Sequence, residues 1–287
     1  MYHKILEKDK AVWELHNIAI IDAIDKDERY HVGHPLVSEE DGPLYKKLSY
    51  KYAGVSLDKI NYKCVDSRKF LLSFINIFYG VYHMDKNNFI HMDIKTSNIV
   101  LSRKLIYNCE HQYEMKIIDF GISGIKNKPE TLYDTIFVKT YPIWPFEILY
   151  LGTPIENAEN AENAENPIEK LNQYIADPYF NIINIQPDTS LILKNYQELY
   201  QLSAEERLLQ ITKKLDVYSL GLTLNNIRRS LNIDINLRKL LGKLILKMTN
   251  FNTKERMIPH KALIEYVSIL NEHYQDQFTD ITLLLLQ

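Results

Sequence analysis

Two short polar segments, each closing an apolar run, set what this chain can become. Asn88-Phe89-Ile90 leads into His91-Met92-Asp93-Ile94-Lys95-Thr96-Ser97-Asn98, and Lys116-Ile117-Ile118 leads into Asp119-Phe120-Gly121. The first segment puts a carboxylate, an ammonium and a carboxamide at Asp93, Lys95 and Asn98, and the second adds the carboxylate of Asp119 on a short turn. Phosphoryl transfer to a hydroxyl needs these groups: an acceptor for the hydroxyl proton, a cation near the moving phosphate, and oxygen ligands for Mg²⁺. A lone Asp at a strand end is ordinarily a turn residue. Here several residue types coincide behind two apolar strands, which a turn alone does not account for.

On these residues the chain resembles the eukaryotic-type protein kinase family, in its serine/threonine branch. The resemblance implies an α+β, two-lobed protein-kinase-like fold with a mostly helical C-lobe. It makes Asp93 the catalytic base, Lys95 the lysine that steadies the γ-phosphate, and Asn98 and Asp119 the two Mg²⁺ ligands, with ATP and Mg²⁺ as cofactors. Met92 stands where many members have an arginine that gathers an activation-loop phosphate, which argues against switching by phosphorylation of that loop.

The flanking sequence follows the same plan. Lys10 to Asp25 has helical spacing, Arg29 to Val37 reads as a strand, and Leu48 to Tyr52 alternates like a strand before Ala53-Gly54. Helical pattern starts again at Ser56-Leu57-Asp58-Lys59-Ile60. By resemblance these are the family's helix C, two strands, the hinge and the helix after it, so that residues 1–55 form a partial N-lobe and 56–287 the C-lobe. Glu14 is then the glutamate of helix C and Tyr50 the gatekeeper. Lys51 and Ala53 face the adenine edge, and Val100 floors the pocket. The family's Gly-rich loop and strand lysine have no counterpart ahead of Lys10, so the expectation is an incomplete N-lobe with weak ATP binding, open to a partner that covers it.

Ser67 to Asp85 carries Phe70, Leu71, Phe74, Ile75, Phe78 and Val81 at the spacing of a broadly buried helix. Ile99-Val100-Leu101 reads as a short strand. Thr140 to Glu147 resembles the family's closing segment. Thr140 would hydrogen-bond the catalytic aspartate, and Glu147 would pair with Arg256 of Asn252-Thr253-Lys254-Glu255-Arg256. Gly121 completes the metal-binding turn. Leu215 to Gly221 resembles the start of a central helix whose Asp216 anchors the catalytic loop through backbone N–H groups. Leu237, Leu240, Leu241, Leu244, Ile245 and Met248 are core at helical spacing, and Pro259 to Leu270 is the following helix.

Between these stretches lies Glu156 to Asn166, an acidic three-residue repeat without a large apolar side chain. Such a tract buries too little surface to offset its ordering entropy and is expected to be a disordered insertion spanning about 152–170. Leu171 to Leu209 is expected to form an enlarged excursion on the substrate side. The insertion and the reduced motifs resemble those of divergent kinases of large DNA viruses.

Hydrophobic residues make up 46% of the chain and charged ones 25%, with a net charge of −3, which gives no general pull toward nucleic acid or an anionic membrane. Two cysteines, Cys64 and Cys109, form no metal-like pair or disulfide framework. The first residues lack an apolar run of signal-peptide length, and no stretch is long enough to span a bilayer. An intracellular, cytoplasmic protein acting on Ser or Thr of a protein substrate is the expectation. Two alternatives stand beside it. A pseudokinase scaffold, or truncated inactive kinase, would keep the fold without turnover. A small-molecule phosphotransferase would share the two-lobed plan, but generally lacks counterparts of Lys95, Phe120-Gly121 and the Asp216 segment.

Overall fold

The computed structural model describes residues 53–105, 111–126, 143–150, 176 and 188–274. Glu14, Tyr50, Lys51, Thr140, the helix and strands expected before Ala53, and the acidic repeat lie outside the described residues.

Helix α1, Ser67–Lys86, starts where the Asp66 side chain accepts the Lys69 N–H at 3.0 Å. Its apolar residues recur on one broad face, and Phe70, Leu71, Phe74, Phe78, Val81 and Met84 are buried. The helix ends at Asn87, and Asn88 turns the chain with φ +55°. Asn tolerates this left-handed conformation better than most residues.

The described strands fall into two small sheets. Strands β1 (Val55–Ser56), β3 (Ile99–Leu105) and β4 (His111–Ile117) form one antiparallel sheet in the order β1-β3-β4. Ile99 faces Ile117 at one end of the β3–β4 ladder and Leu105 faces His111 at the other. Strand β3 is thus longer than the expected Ile99–Leu101, because β4 offers a full-length partner. Strands β2 (Phe89–Ile90) and β5 (Gly124–Ile125) form a second antiparallel pair. Gly54 precedes β1 with φ +134°, and a Cβ there would lie 2.3 Å from the Leu101 carbonyl oxygen, so only glycine admits this approach.

The helix expected from Ser56 is absent among the described residues. Ser56 is a strand residue paired with Val100, and the next three residues, Leu57–Lys59, form a single 3-10 turn, with Ile60 already extended. Ser56 makes no side-chain cap hydrogen bond, and the segment has no further turn over which helical bonding could propagate.

The C-terminal part is helical: α2 (Thr189–Tyr200), α3 (Ala204–Ser230), α4 (Ile235–Met248) and α5 (Pro259–Tyr274). The helix expected to start near Leu215 begins at Ala204. Ser203 and Glu206 form a reciprocal capping box, and Leu208, Ile211 and Leu215 carry the apolar stripe forward. The excursion expected over Leu171–Leu209 therefore includes the first turns of the central helix. From Leu215 to Asn225 every residue of α3 is buried, as in a helix surrounded by other elements. A Cβ on Gly221 would sit 2.8 Å from Thr249 Cγ2 and 2.9 Å from Met248 Cβ, so α3 passes tightly against the end of α4.

Helix α5 closes the main core over α1. The Phe78 and Tyr266 rings stack at 4.2 Å, and the Tyr266 hydroxyl donates to the Leu71 carbonyl at 2.9 Å. A second apolar cluster gathers Ile90, Met92, Trp144, Leu199, Ile211 and Leu215. Among the described residues no helix is long and apolar enough to cross a membrane.

Candidate active site

The loop between β2 and β3 is anchored from below by α3. The carboxylate of Asp216 accepts the His91 N–H at 2.7 Å and the Met92 N–H at 2.9 Å. Burial pushes this carboxyl's pKa up, while His91 and its N–H, then the Met92 N–H, pull it back. About one turn further along α3, Ser219 Oγ donates to the Ile143 carbonyl at 2.8 Å, and about two turns further Thr223 Oγ1 donates to the Ile94 carbonyl at 3.1 Å. Three polar side chains on one face of a buried helix thus meet backbone groups of the site, as buried polar groups require.

His91 is fully buried. Its Nε2 lies 3.1 Å from the Ile118 carbonyl, and its Nδ1 accepts the Asp93 N–H at 3.2 Å. These partners select the neutral imidazole with the proton on Nε2. Burial pushes the pKa of His91 down, and the nearby carboxylates of Asp216 and Asp93 oppose it. The ring also meets the edge of Phe120 at 4.8 Å.

Asp93, Lys95 and Asn98 come together at one carboxylate. Asn98 Nδ2 donates to Asp93 Oδ2 at 2.7 Å and to the Asp93 carbonyl at 3.0 Å. Lys95 Nζ lies 2.9 Å from the same Oδ2. Asp93 and Asn98 are buried, and Lys95 is half-buried. With Nδ2 committed to Asp93, the Asn98 amide offers a ligand only through Oδ1.

Asp119 is placed at the same end of the β3–β4 ladder as Asn98, because the Ile118 N–H donates to the Asn98 carbonyl at 2.9 Å. It is exposed and holds φ +65°, a left-handed conformation seldom adopted by a side-chain-bearing residue. The Gly121 N–H approaches Asp119 Oδ1 at 3.4 Å, and a Cβ on Gly121 would lie 3.3 Å from that oxygen. Asn98 Oδ1 and the Asp119 carboxylate are hard oxygen donors from two strand ends, a set that fits Mg²⁺ shared with a phosphate. Among the described residues no group of three His, Cys, Asp or Glu forms a cage for a metal.

Val100 is buried on β3 and pairs with Ser56 of β1, which begins two residues after Ala53. Glu147 and Arg256 form a buried ion pair, with side chains 2% and 0% exposed. Arg256 Nε donates to the Asn250 carbonyl at 2.8 Å, and the guanidinium lies 4.8 Å from the Tyr218 ring centre. The two meet charge to charge, without an aligned hydrogen bond at Arg256 Nη1 or Nη2 or at Glu147 Oε1.

Several residues at the site carried no signal by motif. Trp144 Nε1–H donates to the Met92 carbonyl. Lys214 Nζ donates to the carbonyls of Thr253 and Lys254, and burial, then the Arg256 cation, lower its pKa to about 8. Asn195 on α2 accepts from Thr253 N–H at 3.0 Å and Thr253 Oγ1 at 2.9 Å, tying that helix to the turn before Arg256. The available signal was the spacing of Asp216, Ser219 and Thr223 along an otherwise apolar helix.

Residues 18–156 match the model of the protein kinase domain. The chain is also 34% identical over 116 residues to the serine/threonine-protein kinase Nek8 of Danio rerio, a match covering 36% of this chain and 16% of the relative. The chain thus spans under a fifth of the length of that relative. The matched stretch contains both polar loops, and the described residues form a mostly helical body with two small antiparallel sheets, an arrangement in keeping with the protein kinase domain that residues 18–156 resemble.

Proposed function

We propose that the protein transfers the γ-phosphate of ATP to a Ser or Thr hydroxyl of a protein substrate. The observation that supports this most is the convergence of Lys95 Nζ and Asn98 Nδ2 on Asp93 Oδ2, at 2.9 and 2.7 Å. In this reading Asp93 takes the proton of the incoming hydroxyl, a role typically worth about 10²–10⁴ in rate. Asn98 fixes the orientation of the carboxylate, and Lys95 places a positive charge where the moving phosphoryl oxygens pass. Asn98 Oδ1 and Asp119 would hold Mg²⁺, which would supply charge neutralisation to the phosphate oxygens.

In this reading the adenine ring lies over Val100 with its edge toward Ala53, and Tyr50 and Lys51, outside the described residues, take the gatekeeper and hinge roles that the family resemblance gives them. Thr140, outside the described residues, takes the role that the family resemblance gives it, as a partner of the catalytic aspartate. Asp216 and Gly121 hold the two loops in shape, and Glu147 with Arg256 holds the end of the closing segment. The preference for Ser and Thr draws on Lys95, two residues after Asp93, and on the likeness to a relative named as a serine/threonine kinase.

Phosphoamino-acid analysis of a labelled generic protein substrate, with and without Mg²⁺, tests the reading. Phosphoserine or phosphothreonine that appears only with Mg²⁺ is expected. Predominant phosphotyrosine would overturn the acceptor class, and no transfer under any condition would overturn the activity.

A further inference from the structure

The loop that carries Asp93 is fastened to the segment ending at Glu147 by a contact from Trp144. Trp144 is buried, its ring packs with Ile90, Met92 and Leu199, and its indole N–H donates to the Met92 carbonyl. That carbonyl belongs to the peptide leading into Asp93. Met92 holds φ +69°, a conformation that a non-glycine residue keeps only when its surroundings impose it. The imposing groups stand on both sides: Asp216 accepts the Met92 N–H at 2.9 Å, and Trp144 donates to its carbonyl. The residue before Trp144 is held in turn, because Ser219 Oγ donates to the Ile143 carbonyl at 2.8 Å. One turn of α3 therefore fixes both ends of the strut, Met92 through Asp216 and Ile143 through Ser219.

We propose that Trp144 is a positioning residue for Asp93, acting through the Met92 carbonyl. The inference rests on the reading of Asp93 as the proton acceptor. The strut is made of one neutral hydrogen bond and apolar packing. Met92 lies within that apolar cluster, so the contact between closing segment and catalytic loop needs no added charge. Without the indole N–H the peptide at Met92 loses one of its two restraints, and the direction of the Asp93 carboxylate becomes variable.

Two variants separate this role from packing. Trp144→Phe shortens the ring and removes the donor, whereas benzothienylalanine at position 144 keeps the bicyclic volume and removes only the N–H. In the full chain, amide exchange at Met92 and Asp93 should quicken by about three- to tenfold in both variants, the factor carried by one neutral hydrogen bond. Exchange in α1 should not change. With a generic Ser/Thr substrate, kcat should fall by at least the same factor while KM for ATP stays put. Unchanged exchange at Met92 and Asp93 in the benzothienylalanine protein overturns the proposal. So does exchange that quickens equally in α1, which would mean general loosening. If Asp93→Asn turns over like the wild type, the reading of Asp93 fails, and the exchange arm still decides whether Trp144 holds the loop.

Discussion

Replacing Arg256 by Met should cost the fold heavily, and the buried pair sets the size of the loss. Both charged groups are out of water, with side chains 0% and 2% exposed. Removing one member of such a pair strands the other and costs about 3–5 kcal/mol. The lost bond to the Asn250 carbonyl and the lost contact with the Tyr218 ring push the same way. Against a typical total stability of about 5–15 kcal/mol this is a large fraction. At about 2–4 °C per kcal/mol for a chain near this size, melting should fall by roughly 10 °C.

Urea unfolding followed by circular dichroism measures the loss, and the double variant Glu147→Gln/Arg256→Met identifies its cause. The pair meets without aligned hydrogen bonds at Arg256 Nη1, Nη2 or Glu147 Oε1, so most of its worth is mutual neutralisation. Neutralising both members should recover most of what the single variant loses. A single-variant loss below about 1 kcal/mol, the level of an exposed pair, would refute the reasoning. So would a double variant no more stable than Arg256→Met.

His91 should stay neutral as pH falls through 6.5, its ordinary value, because burial holds its pKa lower in the folded protein. The unfolded chain then binds the extra proton, so this group's contribution to stability is present above 6.5 and is lost below it, by up to about 1.4 kcal/mol per pH unit. Asp216, pushed up by burial, acts in the opposite sense at pH above its ordinary value of 3.8. The imidazole resonances of His91 report this directly, and titration at or above 6.5 would contradict it. Gly54→Ala should be strongly destabilising, since its Cβ would meet the Leu101 carbonyl oxygen at 2.3 Å and φ is +134°. Its melting temperature should fall by several degrees, and a melt equal to wild type would mean that β1 does not hold this register.

Much of the candidate site's geometry was legible because its polar residues sit in short local patterns. Asp93, Lys95 and Asn98 lie within one loop, and the β3–β4 register fixes where Asp119 stands relative to Asn98. Helix α1 was equally plain, since Phe70, Phe74 and Phe78 recur at helical spacing and Asp66 caps the first turn. Local pattern misled at Ser56, where pairing with Val100 overrides a weak helical signal. At α3 the eye settles on the Leu215–Gly221 motif and passes over Ser203-Ala204-Glu205-Glu206, which is itself a readable capping signature. The strut from Trp144 to Met92 and the hold of Asn195 on Thr253 join residues far apart in the chain. Each is an ordinary residue type in its own neighbourhood, so only tertiary packing reveals its partner.

The most direct test of the account compares transfer of labelled γ-phosphate by the wild type and by Asp93→Asn, in preparations free of other kinases. Asn keeps the shape of the side chain and cannot accept the hydroxyl proton, so transfer should fall by about 10²–10⁴ while melting temperature and ATP affinity stay near wild type. Equal transfer by the two proteins would contradict the assignment of Asp93 and, with it, the proposed chemistry of the site.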